Sequence, residues 1–336
     1  MNVLLVGLGR IGKLVARSLL TMDKSRLNWV GAVERERNLE LYSYLLNHDS
    51  TYGTLNPKVG HTGNSFEVPG YGLVALFDDI AESIEKIAPD LVIDCSGSHQ
   101  SAEILTTTGH STSRRHLFAQ AVEILKQTTD SKVWVVGVND NDFQNVTPQN
   151  IINPGCLNNC LIPLISSLNT RYKIIKGTFV SVHSVTNTQP SLDKATRSPR
   201  LSRASGANLV PAAHDSMTMI NKFFPDLREK LVGRTVRAPV SHTSYVTCTF
   251  ELTDRTDAAS VLNCLGSVRI APTVFGVDQE PLVSSDYLFD SRSCVVDGTS
   301  LRVIGGTTLF ISAWYNNEYA FACRMIDIAS QISQPN

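Results

Sequence analysis

Two residues of this chain carry the side chains from which covalent chemistry on a carbonyl can be built, Cys156 and His183. Cys156 follows Asn153-Pro154-Gly155 and opens the run CLNNCLIPL, so it falls at the start of a helix. Unpaired backbone N–H groups and the helix dipole favour a thiolate there. His183 lies inside the apolar stretch 177–185, which reads as a strand. Each has an ordinary competing reading. A lone cysteine is more often a buried structural side chain, and a histidine in a strand is more often a satisfied core residue. Brought together from separate elements, however, they supply what an activated thiol requires, a nucleophile and its base.

A second group of residues points to a bound dinucleotide. Gly7-Leu8-Gly9-Arg10-Ile11-Gly12 follows the apolar run 2–6 and precedes Leu14, Val15, Ser18, Leu19 and Leu20 at helical spacing. Such a glycine turn can simply join a strand to a helix. With both flanks in place it also lets the helix N-terminus approach a pyrophosphate. Glu34, at the end of the second apolar run, is the candidate acid for the adenosine ribose and favours NAD. Arg35 and Arg37 leave NADP open, since a guanidinium can pair with a 2'-phosphate; a solvated charge cluster is the other reading.

The elements that must position these groups follow from hydrophobic periodicity. Apolar runs at 2–6, 29–33, 90–94 and 133–138 alternate with helical or polar segments, which predicts a Rossmann-type doubly wound parallel sheet over 1–155. Beyond Pro154, alternating stretches at 177–185, 241–252, 267–274 and 307–314 predict an α+β catalytic domain, 156–316, with a largely antiparallel sheet. The final segment, 317–336, carries Phe321, Met325, Ile328 and Ile332 on one helical face and is expected to pack back on the first domain. Residues 187–208 form a long polar loop with Arg197, Arg200 and Arg203 at three-residue steps, and a loop of that length is usually functional.

Composition narrows the function classes. Thirty basic against 31 acidic residues give a formal charge of -1, without the broad positive field that nucleic acid or an anionic membrane would attract. The start, MNVLLVGLGRIG, lacks the pattern of a secretory signal, and no window of 18 uninterrupted apolar residues follows, so a cytoplasmic protein is expected. Seven cysteines without CxxC spacing suggest neither a disulfide framework nor a metal site.

GLGRIG at 7–12, NHDSTYG at 47–53, CSG at 95–97, CLNNC at 156–160, SVHSVTNTQ at 181–189, VRAP at 236–239 and AWYNNEY at 313–319 occur in this order over nearly the whole chain. In this the chain resembles the phosphorylating glyceraldehyde-3-phosphate dehydrogenases. FFPDL at 223–227, VVDGTSLRV at 295–303 and CRMID at 323–327 resemble the erythrose-4-phosphate dehydrogenase branch. The resemblance implies that Cys156 is the nucleophile, His183 its base, Ser96 part of the cofactor site and Asn317 the group that orients the nicotinamide carboxamide. It also implies a thiohemiacetal that yields hydride to NAD(P) and a thioester, and a homotetramer in which the loop 187–208 nears a neighbouring subunit. Thr186 and Arg237 match the residues that hold the substrate's own phosphate, although Arg237 reads equally well as a structural ion-pair residue.

Departures from the family pattern bear on the second substrate. The family's serine before the cysteine is Gly155 here, and the two threonines after it are Leu157 and Asn158. A Thr-Gly pair that binds inorganic phosphate in the family is replaced by His214-Asp215, and an arginine of that site by Leu201, between Arg200 and Arg203. A carboxylate about 4 Å from an anion opposes it by about 1 kcal/mol in bulk water and several-fold more at a protein site. The sequence therefore predicts oxidation of a phosphorylated sugar aldehyde with water releasing the acyl group. Two other readings compete: a degenerate relative that binds a cofactor or regulates, and a dehydrogenase for another aldehyde contacted by His214 and Asp215. The segment 98–132 is longer than the family pattern and carries no functional assignment.

Overall fold

Asn2–Val6, the first apolar run, is the central strand (β1) of a doubly wound sheet, and Arg10–Thr21 is the helix (α1) that follows its glycine turn. The computed structural model describes residues 1–21, 26–108, 114–119, 131–143, 149–196, 198–212 and 216–333. Contacts divide the chain into two units, Met1–Pro154 with Ala322–Asn336, and Gly155–Phe321.

In the first unit the described strands continue as β2 (Asn28–Val33), β3 (His48–Asp49), β4 (Gly53–Thr54), β5 (Gly60–Thr62), β6 (Ser65–Val68), β7 (Gly72–Phe77), β8 (Leu91–Asp94), β9 (Arg115–Phe118), β10 (Ser131–Val133) and β11 (Asn150–Ile152). Helices α2 (Leu39–Asn47), α3 (Ile80–Ile87) and α4 (His99–Thr108) lie between them. β3 and β4 pair with each other, and the remaining strands form one sheet in the order β10-β11-β9-β8-β1-β2-β7-β6-β5. Pairing is parallel from β10 to β7 and antiparallel at the β5–β6–β7 edge. The order reverses direction at β1, the switch point where open α/β sheets bind ligands.

The strand expected over 133–138 stops at Val133. Asn139 Oδ1 accepts the Val135 N–H, Asp140 accepts the Gly137 N–H and the Trp134 indole, and Gly137 has φ +82°, so side-chain acceptors fold the run into a turn.

The second unit holds β12 (Ile174–His183), β13 (Val210–Ala212), β14 (Leu231–Arg237), β15 (Ser244–Leu252), β16 (Phe275–Asp278), β17 (Cys294–Asp297), β18 (Arg302–Ile304) and β19 (Thr308–Tyr315). Their order is β13-β14-β12-β15-β19-β17-β16, with β18 on β19. Most pairs are antiparallel; β12–β14 and β16–β17 are parallel. Helices α5 (Cys156–Tyr172), α6 (Ser216–Phe223) and α7 (Ala258–Gly266) complete it. Leu161, Leu164 and Leu168 of α5 share one core with Val246, Phe250, Leu309 and Ile311 of the sheet. The strand expected at 267–274 does not form. Pro272 removes a ladder donor, and the Ala271 carbonyl accepts from both Val274 and Phe275, so β16 starts only at Phe275.

Helix α8 (Tyr319–Ile332) passes from the second unit into the first. Within the first unit, Met325, Ile328 and Ile332 are buried and Arg115 Nη1 donates to the Ile332 carbonyl at 2.9 Å, a cation on the last turn of a helix. Residues 187–208 are irregular where described. Asp193 holds them by accepting the Ala204 N–H and Arg203 Nε, and Arg200 is exposed. Arg197 lies outside the described residues. Among the described residues no helix is long and apolar enough to cross a membrane.

Candidate active site

Cys156 is the first residue of α5, and Gly155 is its N-cap with φ 99° and ψ 160°, a backbone region that side-chain-bearing residues rarely enter. The helix closes with the Asn159 N–H on the Gly155 carbonyl at 2.9 Å. Leu157 is fully buried in the core behind the thiol, and Asn158 and Asn159 are buried beside it. The position that carries a family hydroxyl is thus filled by core packing.

His183 ends β12. The two-residue period of the strand puts Phe179, Ser181 and His183 on the buried face while Val180 and Val182 are exposed. Its Nε2 lies 3.5 Å from Cys156 Sγ. In the parallel register of β12 and β14, His183 stands opposite Arg237, whose Nη1 is 2.6 Å from His183 Nδ1. Nδ1 is also 2.7 Å from the Ser184 carbonyl. Ser184 is fixed on both sides: its N–H donates to Ser244 Oγ and its own hydroxyl to Asn317 Oδ1 at 2.7 Å.

Burial pushes the Cys156 thiol above its ordinary value, and Glu318 adds to the rise. The Arg237 guanidinium and the N–H groups of Leu157 and Cys156 oppose it. Burial likewise lowers Arg237, against the Cys156 and Tyr315 charges that raise it. Arg237 Nε is buried with no hydrogen-bond partner among the described residues, so the guanidinium retains a donor for an anion. Thr186, at the mouth of the same strand end, has its hydroxyl 2.9 Å from that of Thr188. Arg203 is engaged by Asp193 at 2.8 Å. His214 and Asp215 lie outside the described residues.

In the first unit the glycine turn is shaped by close approach. Gly7 has φ +85°, and a Cβ there would lie 2.7 Å from the Ser96 Cα. One at Gly12 would lie 1.8 Å from the Gly7 carbonyl oxygen, whereas one at Gly9 would meet open space. The N-terminus of α1, Arg10 and Ile11, therefore sits against the C-terminal ends of β1 and β8, and the space a side chain at Gly9 would take is open. Glu34 Oε1 accepts the Leu8 N–H at 2.6 Å, which ties the second strand to this turn. Ser96 donates through N–H and hydroxyl to Asp94. Arg10 pairs with Asp49 of the 47–53 segment at 2.6 Å, and Arg37 pairs with Asp78 and Glu82, while Arg35 is exposed. The arginine at 37 is thereby committed to carboxylates.

Residues 1–102 match the family model described as the NAD binding domain of glyceraldehyde 3-phosphate dehydrogenase, and 155–317 match that of its C-terminal domain. The chain belongs to the glyceraldehyde-3-phosphate dehydrogenase family. Similar proteins include glyceraldehyde-3-phosphate dehydrogenase of Zymomonas mobilis, 31% identical over 99% of this chain and 98% of the relative. Glyceraldehyde-3-phosphate dehydrogenase 2 of Staphylococcus epidermidis is 27% identical over 99% and 96%, and that of Staphylococcus aureus 28% over 98% and 95%.

Membership makes the chain an NAD-dependent oxidoreductase, and the shape of the glycine turn suits that cofactor. Ser184, Ser244, Tyr315 and Glu318, which surround the Cys156–His183 pair, were not reached from the sequence. Their roles arise from strand register and from a helix start, which local periodicity does not encode. Ser181 and Tyr315 carried one usable signal, buried hydroxyls on strand positions that alternate inward.

Proposed function

We propose that this family member oxidises a phosphorylated sugar aldehyde, glyceraldehyde 3-phosphate or erythrose 4-phosphate, through a Cys156 thioester that water releases. The observation that carries this reading is Cys156 Sγ at a helix N-terminus, 3.5 Å from His183 Nε2. The Cys156 thiolate adds to the aldehyde carbon, and the Cys156 N–H at the start of α5 faces the oxyanion that forms. His183 Nε2, having taken the thiol's proton, gives it to that oxyanion and takes it back as the carbon is oxidised. NAD, when bound, supplies the hydride acceptor. Water then adds to the thioester carbonyl, and the acid leaves with Cys156 restored as the thiol.

Arg237, whose buried Nε has no hydrogen-bond partner among the described residues, is the ligand for the substrate's phosphate, with Thr186 beside it. The binding of inorganic phosphate has weak support from this chain: Leu157 is buried where a hydroxyl would serve, Arg203 is held by Asp193, and His214-Asp215 replaces Thr-Gly. Glu34 and the amides of the glycine turn hold the dinucleotide, and the pairing of Arg37 with Asp78 and Glu82 favours NAD over NADP. The exposed Val180, Val182 and Val232 on the outward side of β12 and β14 suit burial in a homotetramer, in the cytoplasm. The test is NADH formation by the purified enzyme with each aldehyde, with and without inorganic phosphate, and with NADP in place of NAD. Turnover that persists without phosphate is expected. Strict dependence on phosphate overturns release by water, and silence with both aldehydes overturns the substrate assignment.

A further inference from the structure

His183 Nδ1 stands within hydrogen-bond distance of two groups that make opposite demands on it. The Ser184 carbonyl, at 2.7 Å, is an acceptor and requires an Nδ1–H. Arg237 Nη1, at 2.6 Å, is a donor that cannot accept and requires an Nδ1 lone pair; it also reaches the Ser184 carbonyl, at 3.4 Å, so it contests both ends of that bond. One nitrogen cannot serve both.

The choice decides what Nε2 presents to Cys156. If Arg237 holds Nδ1, the ring is the Nε2–H tautomer, which can donate to sulfur but cannot take the thiol proton. The guanidinium beside the ring also opposes an imidazolium. If Ser184 holds Nδ1, the Nε2 lone pair faces Sγ and accepts that proton, leaving a thiolate beside an imidazolium whose second N–H is still bonded.

The two competitors differ in freedom. Ser184 is pinned by Ser244 and Asn317, whereas Arg237 reaches the ring on a long side chain and keeps a buried Nε with no partner among the described residues. The charged or titratable groups that face the pair are Cys156, Tyr315, Glu318 and Arg237 itself.

We propose that Arg237 is a positioning residue that sets the tautomer of His183, and that an anionic group engaged by Arg237 hands Nδ1 over to the Ser184 carbonyl. Binding of a phosphorylated substrate then converts a thiol with a mismatched partner into one with a competent base. The identity of the anion rests on the reading of Arg237 as the substrate-phosphate ligand; the control of the tautomer does not.

Nitrogen-15 spectra of the full-length enzyme labelled at histidine, with His183 assigned through its loss in His183→Asn, read the protonation of each ring nitrogen. Without phosphate the wild-type ring is expected to show a protonated Nε2 and an unprotonated Nδ1. Inorganic phosphate should move it saturably to the Nδ1–H form, Arg237→Met should show that form throughout and not respond to phosphate, and Arg237→Lys, which restores a donor, should return it toward the wild-type pattern. An Nδ1–H ring in the phosphate-free wild type, or no change in Arg237→Met, overturns control by Arg237. If that variant does not fold, the phosphate titration of the wild type decides, and an unresponsive ring overturns the handover. Tautomer exchange in an enzyme inert toward both phosphorylated aldehydes supports this inference while sinking the substrate assignment.

Discussion

The hydroxyls of Ser181 and Tyr315 lie 2.6 Å apart in the interior of the second unit, and the Tyr315 ring meets the His183 ring edge-on with centroids 6.0 Å apart. Ser181 shares the inward face of β12 with His183, and Tyr315 reaches it from the end of β19. Tyr315→Phe keeps the ring and leaves the Ser181 hydroxyl without that partner. The expected cost is about 1–2 kcal/mol of stability, measured by denaturant unfolding, together with a fall in kcat larger than any change in KM. Unaltered stability and kcat would remove this role.

Cys156 titrates against two opposed neighbours. Burial and Glu318 raise its thiol, and Arg237 lowers it, so the thiolate is favoured only on the alkaline side of an ordinary cysteine. Alkylation of Cys156 by iodoacetamide should accelerate as pH rises through that range. Glu318→Gln removes a charge that repels the thiolate, so the same profile should move to lower pH and alkylation at neutral pH should quicken. A shift to higher pH contradicts the assignment of sign.

Arg237 is expected to discriminate substrates by charge. Charge-assisted hydrogen bonds contribute about 1.5–3 kcal/mol each, so Arg237→Met should lower kcat/KM for a phosphorylated aldehyde by about 10- to 150-fold. An unphosphorylated aldehyde of the same length, which does not engage Arg237, should hold or gain activity, because Nδ1 is then free for the Ser184 carbonyl. Equal losses on both would make Arg237 a general support of the site.

Gly12→Ala tests the glycine turn. The added methyl would fall 1.8 Å from the Gly7 carbonyl oxygen, which no rotamer relieves. Displacement of the first turn of α1 should cost about 1–3 kcal/mol of stability and abolish NAD binding measured by calorimetry. Gly9→Ala, whose Cβ meets open space, should fold normally and weaken only the cofactor.

Local signals in the sequence carried the glycine turn, the helix that starts at Cys156 and a strand through His183, read over 177–185 and found at Ile174–His183, because each is written as a period or a breaker within about ten residues. The pairing of His183 with Arg237 is different. It depends on the register of two strands separated by the loop 187–208 and α6, and register is a property of non-local packing. Nor does a strand-like run reveal that it will be diverted by side chains beyond it, as Asn139 and Asp140 divert 134–138. The commitment of Arg37 and Arg203 to Asp78, Glu82 and Asp193 is likewise invisible until the chain is folded.

Gly155 holds the backbone turn from which α5 starts. With φ 99° and ψ 160° its backbone is open to glycine and little else, so the serine hydroxyl that the family places before its nucleophile cannot be regained here by one substitution. A side chain added at Gly155 would shift the entry to α5 and, with it, the helix's first residue, Cys156.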